Sequence, residues 1–162
     1  LDLERLVDTH FRRGHVATLA LRSSGGPLQV QCDPATGRLT DIGGRLGGRS
    51  EPAFLFTGIA VYAPEIFSLF PAEPVFSIIT VLRQAIADGR SVGGEILDDG
   101  LWFDLGTRDA CLEVHRMAAA RPELVRYPLD RPWPEWIHPT ARVAEDVAMT
   151  GFVAIGAGAR VG

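Results

Sequence analysis

A strict six-residue period near the C-terminus limits the folds open to this chain more than any other pattern in its 162 residues. Aliphatic residues recur at this spacing five times, at Ile137, Val143, Met149, Ile155 and Val161. A second small or β-branched residue follows four positions after each of the first four. Each face of a triangular β-solenoid presents one inward aliphatic residue per hexapeptide. The period therefore predicts the beginning of a left-handed β-helix over residues 137–162.

Such a helix uses about three hexapeptides per coil and needs roughly three repeats for stability, so we expect the solenoid to continue beyond Gly162. The alternative, a surface meander with chance spacing, is disfavoured by the Gly- and Ala-rich ending of the chain. The sequence also opens inside an amphipathic helix without an initiator Met. We therefore expect a fragment of a longer protein.

Four prolines interrupt the segment that precedes the repeats, at Pro122, Pro128, Pro132 and Pro134. Proline disfavours both a helix interior and a central strand, so this segment is predicted to be a linker. The predicted organisation is a first domain over residues 1–120, a linker over 121–136 and the solenoid over 137–162.

Helical and strand patterns alternate before the linker, which indicates an α/β domain. The predicted elements, in order, are a helix ending at Gly14, a buried strand at residues 16–21, a hairpin at 28–32 and 38–42, a glycine-rich loop at 43–50, a central strand buried on both faces at 54–63, a short helix after Pro64, a helix capped by Ser77, strands at 92–97 and 101–105, and a helix at 108–119 capped by Thr107.

Composition excludes several classes of function. The formal charge is −4 and no Lys/Arg cluster forms a face, so a nucleic-acid partner is not expected. No apolar run approaches the roughly 18 residues of a membrane helix, and the charged first segment is unlike a signal peptide. We expect a cytoplasmic protein with no membrane partner. Cys32 and Cys111 lack the spacing of a zinc site or a disulfide framework.

Three stretches carry a family resemblance: FTGIAVYAPEIFSLFP from Phe56, FSIITVLRQAIADGRSVGG from Phe76 and GLWFDLGTRDACLEVHR from Gly100. Over residues 1–116 the chain resembles the second half of the nucleotidyltransferase domain of sugar-phosphate nucleotidyltransferases. This family includes mannose-1-phosphate guanylyltransferases and glucose-1-phosphate thymidylyl- and uridylyltransferases. The most specific piece is the W-x-D-x-G-T signature at residues 102–107, and a hexapeptide tail is a familiar extension of the family.

The resemblance implies the C-terminal half of a Rossmann-like mixed sheet. It implies the synthesis of an NDP-sugar and pyrophosphate from an NTP and a sugar 1-phosphate, with Mg²⁺ as the cofactor. A reaction like that of mannose-1-phosphate guanylyltransferase is favoured. We also expect the full-length protein to form a homo-oligomer, because solenoid faces commonly pack against one another.

The resemblance assigns Asp104 as a catalytic metal ligand, since it matches the aspartate of the signature. Independently of the family, Asp104 interrupts an apolar run at a predicted strand end, where an uncompensated buried carboxylate would cost several kcal/mol. An alternative is that Asp104 caps the following helix, although Thr107 and Asp109 are nearer candidates for that role.

The substrate-binding residues implied by the resemblance are Phe56, Thr57, Gly58 and Arg45. Gly58 matches a position where the family backbone approaches the sugar, which a missing side chain permits. The alternative is that Gly58 relieves packing in a central strand. The family's Glu-Lys-Pro motif is replaced here by residues 43–46, without its glutamate, so Arg45 takes the basic role or is a solvated loop arginine.

The family's nucleotide-binding loop and its first metal aspartate have no counterpart in residues 1–162, so we expect this polypeptide alone to lack transferase activity. Two alternatives remain open. A hexapeptide acyltransferase would need more coils and a catalytic histidine in a later loop, for which His138 is a poor candidate. A regulatory or assembly subunit would keep the fold without catalysis.

Overall fold

The structure is a computed structural model that describes residues 1–47, 53–121, 123, 135–151 and 153–162. It divides into two compact units, Leu1–Trp102 and Phe103–Gly162. The proline-rich linker prediction and the end of the glycine-rich loop lie largely outside the described residues, and the predicted domain boundaries stay predictions.

The part of the first unit that the structure describes contains two α-helices, a 3₁₀ helix and five strands. In chain order they are α1 (Leu3–Arg13), β1 (Ala17–Arg22), β2 (Val30–Cys32), β3 (Leu39–Ile42), β4 (Ala53–Tyr62), the 3₁₀ helix (Pro64–Leu69), α2 (Ile78–Ala87) and β5 (Val92–Ile96). The strands form one mixed sheet in the order β3-β2-β4-β1-β5. Only the β1–β5 pair is parallel, and the predicted α/β class is confirmed.

The ends of the helices follow the predicted local chemistry. The Asp2 side chain accepts a hydrogen bond from the Arg5 amide at the start of α1, and Gly14 ends the helix with φ +60°. The Ser77 side chain accepts from the Ile79 amide at the start of α2. The predictions that α1 ends at Gly14 and that Ser77 caps α2 are therefore confirmed.

The core lies between the sheet and α2. Strand β1 is buried through residue 21, as its apolar run predicts. Leu19 and Leu21 of β1 pack with Val81 and Leu82 of α2 in one apolar cluster. Helix α2 also contacts β3, so it lies against the β2–β3 hairpin, after which comes the loop that carries Arg45.

Strand β4 is central, but the prediction that it is buried on both faces is wrong for its second half. Its residues are buried or half-buried up to Thr57, whereas Gly58 is exposed and the residues after it are half-buried. Beyond Phe54, β4 pairs with β1 but not with β2, so among the described residues this half of the strand has a neighbouring strand on one side only.

The strand predicted at residues 101–105 is also wrong, because this segment has no regular secondary structure. Leu101, Phe103 and Leu105 are 45%, 41% and 53% exposed. A strand needs a neighbour to accept its backbone hydrogen bonds. The pairing of β5 with β1 ends at Ile96, and residues 97–100 are then held by side chains of the first unit.

In its described residues, the second unit contains α3 (Arg108–Ala120) and four short strands, β6 (Glu135–Ile137), β7 (Arg142–Val143), β8 (Val153–Ile155) and β9 (Arg160–Val161). The Thr107 side chain caps α3 by accepting from the Ala110 amide, as predicted. The strands form two parallel pairs, β6 with β8 and β7 with β9. Each residue pairs with the one eighteen positions later, as in Ile137 with Ile155 and Val143 with Val161.

Burial of the hexapeptide series is uneven. Ile155 is 8% exposed, whereas Ile137, Met149 and Val161 are 45%, 44% and 37% exposed. In the described part of both units, no helix has the length and apolar character that crossing a membrane requires.

Candidate functional site

A buried carboxylate holds the loop that follows β3. Asp41 is 0% exposed, and its two carboxylate oxygens accept hydrogen bonds of 3.0 Å from the Arg45 and Leu46 amides. The Gly43 amide donates to the Gln29 carbonyl at 2.7 Å. These bonds bring the loop back over its own hairpin and set the position of the Arg45 backbone.

An arginine from α2 reaches the same loop. Arg83 is half-buried, and its Nε donates to the Ile42 carbonyl at 2.7 Å. One of its terminal nitrogens lies 2.5 Å from where a Cβ on Gly43 would stand, and Gly43 has φ +74°. The backbone conformation favours glycine at position 43, whereas the guanidinium is the end of a flexible side chain and can move aside at little cost.

Arg45 and Arg83 line one cavity of about 400 Å³, called here the arginine cavity. Its polar lining consists of Gln29, Gln31, Gly43, Gly44, Arg45 and Arg83. Among the described residues, which do not include Glu51, no carboxylate lines this cavity or forms an ion pair with either arginine. Two guanidinium groups beside one cavity favour an anionic ligand, since carboxylates and phosphates match their donor geometry.

A second, smaller cavity of about 190 Å³ adjoins the first, because Gln29 and Arg83 line both. Its other walls are mostly apolar and include Val30, Ile42, Leu55, Phe56 and Ile79, so it is called here the apolar cavity. The structure thus brings two residues predicted from the sequence, Phe56 and Arg45, to neighbouring cavities.

Thr57 and Gly58 follow Phe56 along β4 and differ in their surroundings. The Thr57 hydroxyl is 2.9 Å from the Ala20 carbonyl, to which it donates, and the residue is 8% exposed. Gly58 is exposed with φ +83°, and a Cβ there would meet no atom within 4 Å. The explanation that Gly58 relieves packing is therefore wrong: its backbone conformation is what favours glycine. Approach of a sugar to Gly58 stays a prediction.

Asp104, in the second unit, is exposed, so the expectation of a buried carboxylate at a strand end is wrong. Its Oδ1 accepts from the Gly106 amide at 3.1 Å, which forms a local turn. Thr107, and not Asp104, accepts the hydrogen bond that caps α3. Among the described residues, Asp104 lines none of the cavities identified, and no group of three or more His, Cys, Asp or Glu side chains could hold a metal ion.

The turn that leads towards the signature is held from β1. The Arg22 guanidinium donates to the carbonyls of Leu97, Asp98 and Gly100 at 3.0 to 3.3 Å. The Asp98 carboxylate accepts from the Ser23 amide and hydroxyl, and these hydrogen bonds lower the pKa of Asp98 below its ordinary value. Residues 97–100 therefore have a defined path before Trp102.

A third cavity, of about 640 Å³, lies beside α1 and the end of β4. Burial lowers the pKa values of two of its lining residues, His10 and His15, so both are neutral near pH 7. His10 Nδ1 is 3.0 Å from the Thr18 hydroxyl, and His15 Nδ1 is 2.7 Å from that of Ser91. The contact with Thr18 accounts for His10 as an interior residue, whereas Nε2 of His15 is buried without a hydrogen-bond partner among the described residues.

Sequence reasoning missed Arg83 and Gln29. Arg83 follows two buried apolar residues of an amphipathic helix and has the pattern of a solvent-facing position. Only the packing of α2 on the hairpin shows that its guanidinium reaches the loop after β3. Gln29 precedes β2 in a stretch without a motif, and no sequence signal marks it.

Comparison of the chain with protein-family models and with curated proteins gave no match.

Proposed function

We propose that this chain is part of a sugar-1-phosphate nucleotidyltransferase, which makes an NDP-sugar and pyrophosphate from an NTP and a sugar 1-phosphate. The observation that carries this proposal is the arginine cavity. Arg45 and Arg83 line it together, with no carboxylate among its described lining residues, and two guanidinium groups suit the oxygens of a phosphate monoester.

The sugar side of the proposal rests on β4. Phe56 lines the apolar cavity beside the arginine cavity, and Gly58, two residues further on, presents an exposed and open backbone. A flat aromatic ring and a bare backbone suit the faces and hydroxyl groups of a pyranose. Thr57 would act by holding β4 against β1, because its hydroxyl is already bonded to the Ala20 carbonyl.

In the proposed reaction a phosphate oxygen of the sugar 1-phosphate attacks the α-phosphorus of the NTP, and pyrophosphate leaves with the electrons of the broken P–O bond. The arginines would hold the attacking phosphate in line and reduce its charge, so that positioning and electrostatics supply the catalysis.

The exposed carboxylate of Asp104 fits one ligand position of Mg²⁺, which commonly binds one or two carboxylates, water and substrate phosphates. Oδ1 accepts from the Gly106 amide, which orients the group, and among the described residues Oδ2 has no hydrogen-bond partner. Mg²⁺ bound there would offset the negative charge of the phosphates. The further ligands would come from substrates, water and protein outside the described residues.

For the architecture, we propose that the mixed sheet belongs to a Rossmann-like nucleotidyltransferase domain and that the repeats begin a left-handed β-helix. A parallel offset of eighteen residues is what three hexapeptides per coil produce. Packing of such solenoids would make the full-length protein a homo-oligomer. The sequence favours a mannose-1-phosphate guanylyltransferase-like reaction, and nothing in the arginine cavity itself selects a sugar.

The first test is binding by the 162-residue chain. A sugar 1-phosphate should shift the amide NMR resonances of Arg45, Phe56 and Gly58, and Mn²⁺ in place of Mg²⁺ should broaden those around Asp104. Asp104→Asn should abolish that broadening, whereas Asp109→Asn, a matched change at an exposed position in the same unit, should not. Equal broadening in the two variants would show that Asp104 is not a metal ligand.

The second test is activity. The chain alone should release no pyrophosphate from an NTP and a sugar 1-phosphate. In its complete coding context the protein should do so, and Asp104→Asn should lower kcat by about a hundredfold or more, as loss of an electrostatic contact to the transition state does. Absence of activity with every NTP and sugar 1-phosphate tried would refute the proposal.

A further inference from the structure

We propose that the arginine cavity and the apolar cavity together bind a phosphorylated sugar that carries a small acyl group on an amino substituent. Its phosphate would lie between Arg45 and Arg83, and its acyl group would fill the apolar cavity. The proposal rests on the proposed function and names the substrate class of the same site.

Arg83 is the residue that joins the two cavities. Its Nε donates to the Ile42 carbonyl, and one terminal nitrogen lies beside Gly43, so the guanidinium still has N–H groups to donate to a ligand in the cavities that it lines. The hydrogen bond to the Ile42 carbonyl positions the guanidinium before any ligand arrives. A preorganised guanidinium loses less entropy on binding phosphate than a mobile one.

The apolar cavity has the size and lining for a group of a few atoms. Its volume of about 190 Å³ exceeds the share of one water molecule, about 30 Å³, several times. Phe56 and Ile79 are half-buried walls, and Leu55 is 7% exposed. A hydroxyl group would find mainly hydrocarbon there, whereas the methyl of an acyl group would be removed from water.

Gln29 stands where the two cavities meet, and its side chain is exposed. A carboxamide both donates and accepts hydrogen bonds, so it suits the polar amide that links an acyl methyl to a sugar ring. The order of lining chemistry, from arginine through carboxamide to hydrocarbon, matches the order phosphate, amide and methyl in such a ligand. An unsubstituted hexose phosphate, such as the mannose 1-phosphate that the sequence favours, would leave the apolar end unfilled, so the lining of the two cavities favours a different sugar from the one that the sequence favours.

The test measures, by calorimetry on the 162-residue chain, the binding of N-acetylglucosamine 1-phosphate, glucose 1-phosphate, N-acetylglucosamine and inorganic phosphate. The acylated sugar phosphate should bind at least about fourfold more tightly than glucose 1-phosphate, the effect of burying one methyl group. Ile79→Ala, which removes part of the apolar wall, should reduce this preference and leave the affinity for inorganic phosphate unchanged.

Arg83→Gln should weaken binding of all three phosphates by about tenfold or more, the effect of losing a charged hydrogen bond, and Arg83→Lys should restore part of it. Arg12→Gln, an exposed arginine of α1 that does not line either cavity, is the matched control. Thermal melting of each variant separates lost binding from lost folding.

Two results would overturn the inference in different ways. Equal affinity for the two sugar phosphates would refute the acyl site and leave the proposed nucleotidyltransferase standing. Phosphate binding that is the same in Arg83→Gln and Arg12→Gln would refute the assignment of Arg83. If neither sugar phosphate binds while the chain is folded, the proposal that this chain binds the sugar 1-phosphate is refuted as well.

Discussion

Replacing Asp41 by asparagine tests whether one buried carboxylate organises the loop that carries Arg45. Asp41 is 0% exposed and accepts from two backbone amides, each at 3.0 Å. Asparagine can accept with its oxygen only, and its NH₂ group would face a backbone N–H. Loss of one charged hydrogen bond to the amide of an exposed loop residue should cost about 1.5–3 kcal/mol of unfolding free energy.

A loss of this size is a large part of the stability of an ordinary domain, about 5–15 kcal/mol. In urea, with a slope of about 1–3 kcal/mol per molar, the unfolding midpoint should fall by about 1 M. The control is Asp8→Asn on the exposed face of α1, where the same chemical change should stay within about 0.5 kcal/mol.

The same variant should also weaken binding of inorganic phosphate, because the Arg45 backbone would no longer be tied to the hairpin. Midpoints for Asp41→Asn and Asp8→Asn that agree within error would refute the reasoning. So would a destabilised Asp41→Asn protein that, well below its unfolding midpoint, binds phosphate as tightly as the unchanged chain.

Three other predictions concern positions outside the arginine cavity. Gly58→Ala should lower the unfolding free energy by about 1–2 kcal/mol from backbone conformation alone, since φ is +83° and no atom lies within 4 Å of the new Cβ. An unfolding free energy in denaturant equal to that of the unchanged chain would contradict this. Burial lowers the pKa values of His10 and His15 below 6.5, so the unfolded chain takes up protons first as the pH falls. The unfolding free energy should therefore have its full value above about pH 6.5 and decline below it. In melting experiments at a series of pH values, a His10→Gln/His15→Gln variant should show a flatter decline. Ile155→Ala should destabilise the paired hexapeptide strands by about 2 kcal/mol, whereas Met149→Ala, at a 44% exposed position, should have little effect; amide hydrogen exchange compares the two.

Local chemistry made most of the helices and strands predictable. Apolar periodicity located β1, α1 and α2, and the capping residues Ser77 and Thr107 marked where helices begin. These features depend on neighbours a few residues away along the chain, and the sequence contains those neighbours. The predicted strand at residues 101–105 failed because a strand also depends on a partner that the pattern itself does not supply.

The sequence predicted only some of the residues of the candidate site. Phe56, Gly58 and Arg45 came from motifs and from departures from motifs, and two of them do line adjoining cavities. Arg83 has no motif. It enters the site because α2 packs on the hairpin and directs one side chain to the Ile42 carbonyl, a contact between residues 41 positions apart.

From sequence alone, then, the α/β class, the six-residue period and the positions of the helix caps follow, because each depends on short-range pattern and side-chain chemistry. The tertiary structure decided the sheet order, the open surface at Gly58, the exposure of Asp104 and the convergence of two arginines on one cavity. All of these depend on which distant segments pack together, and the free energy of the whole fold determines that packing.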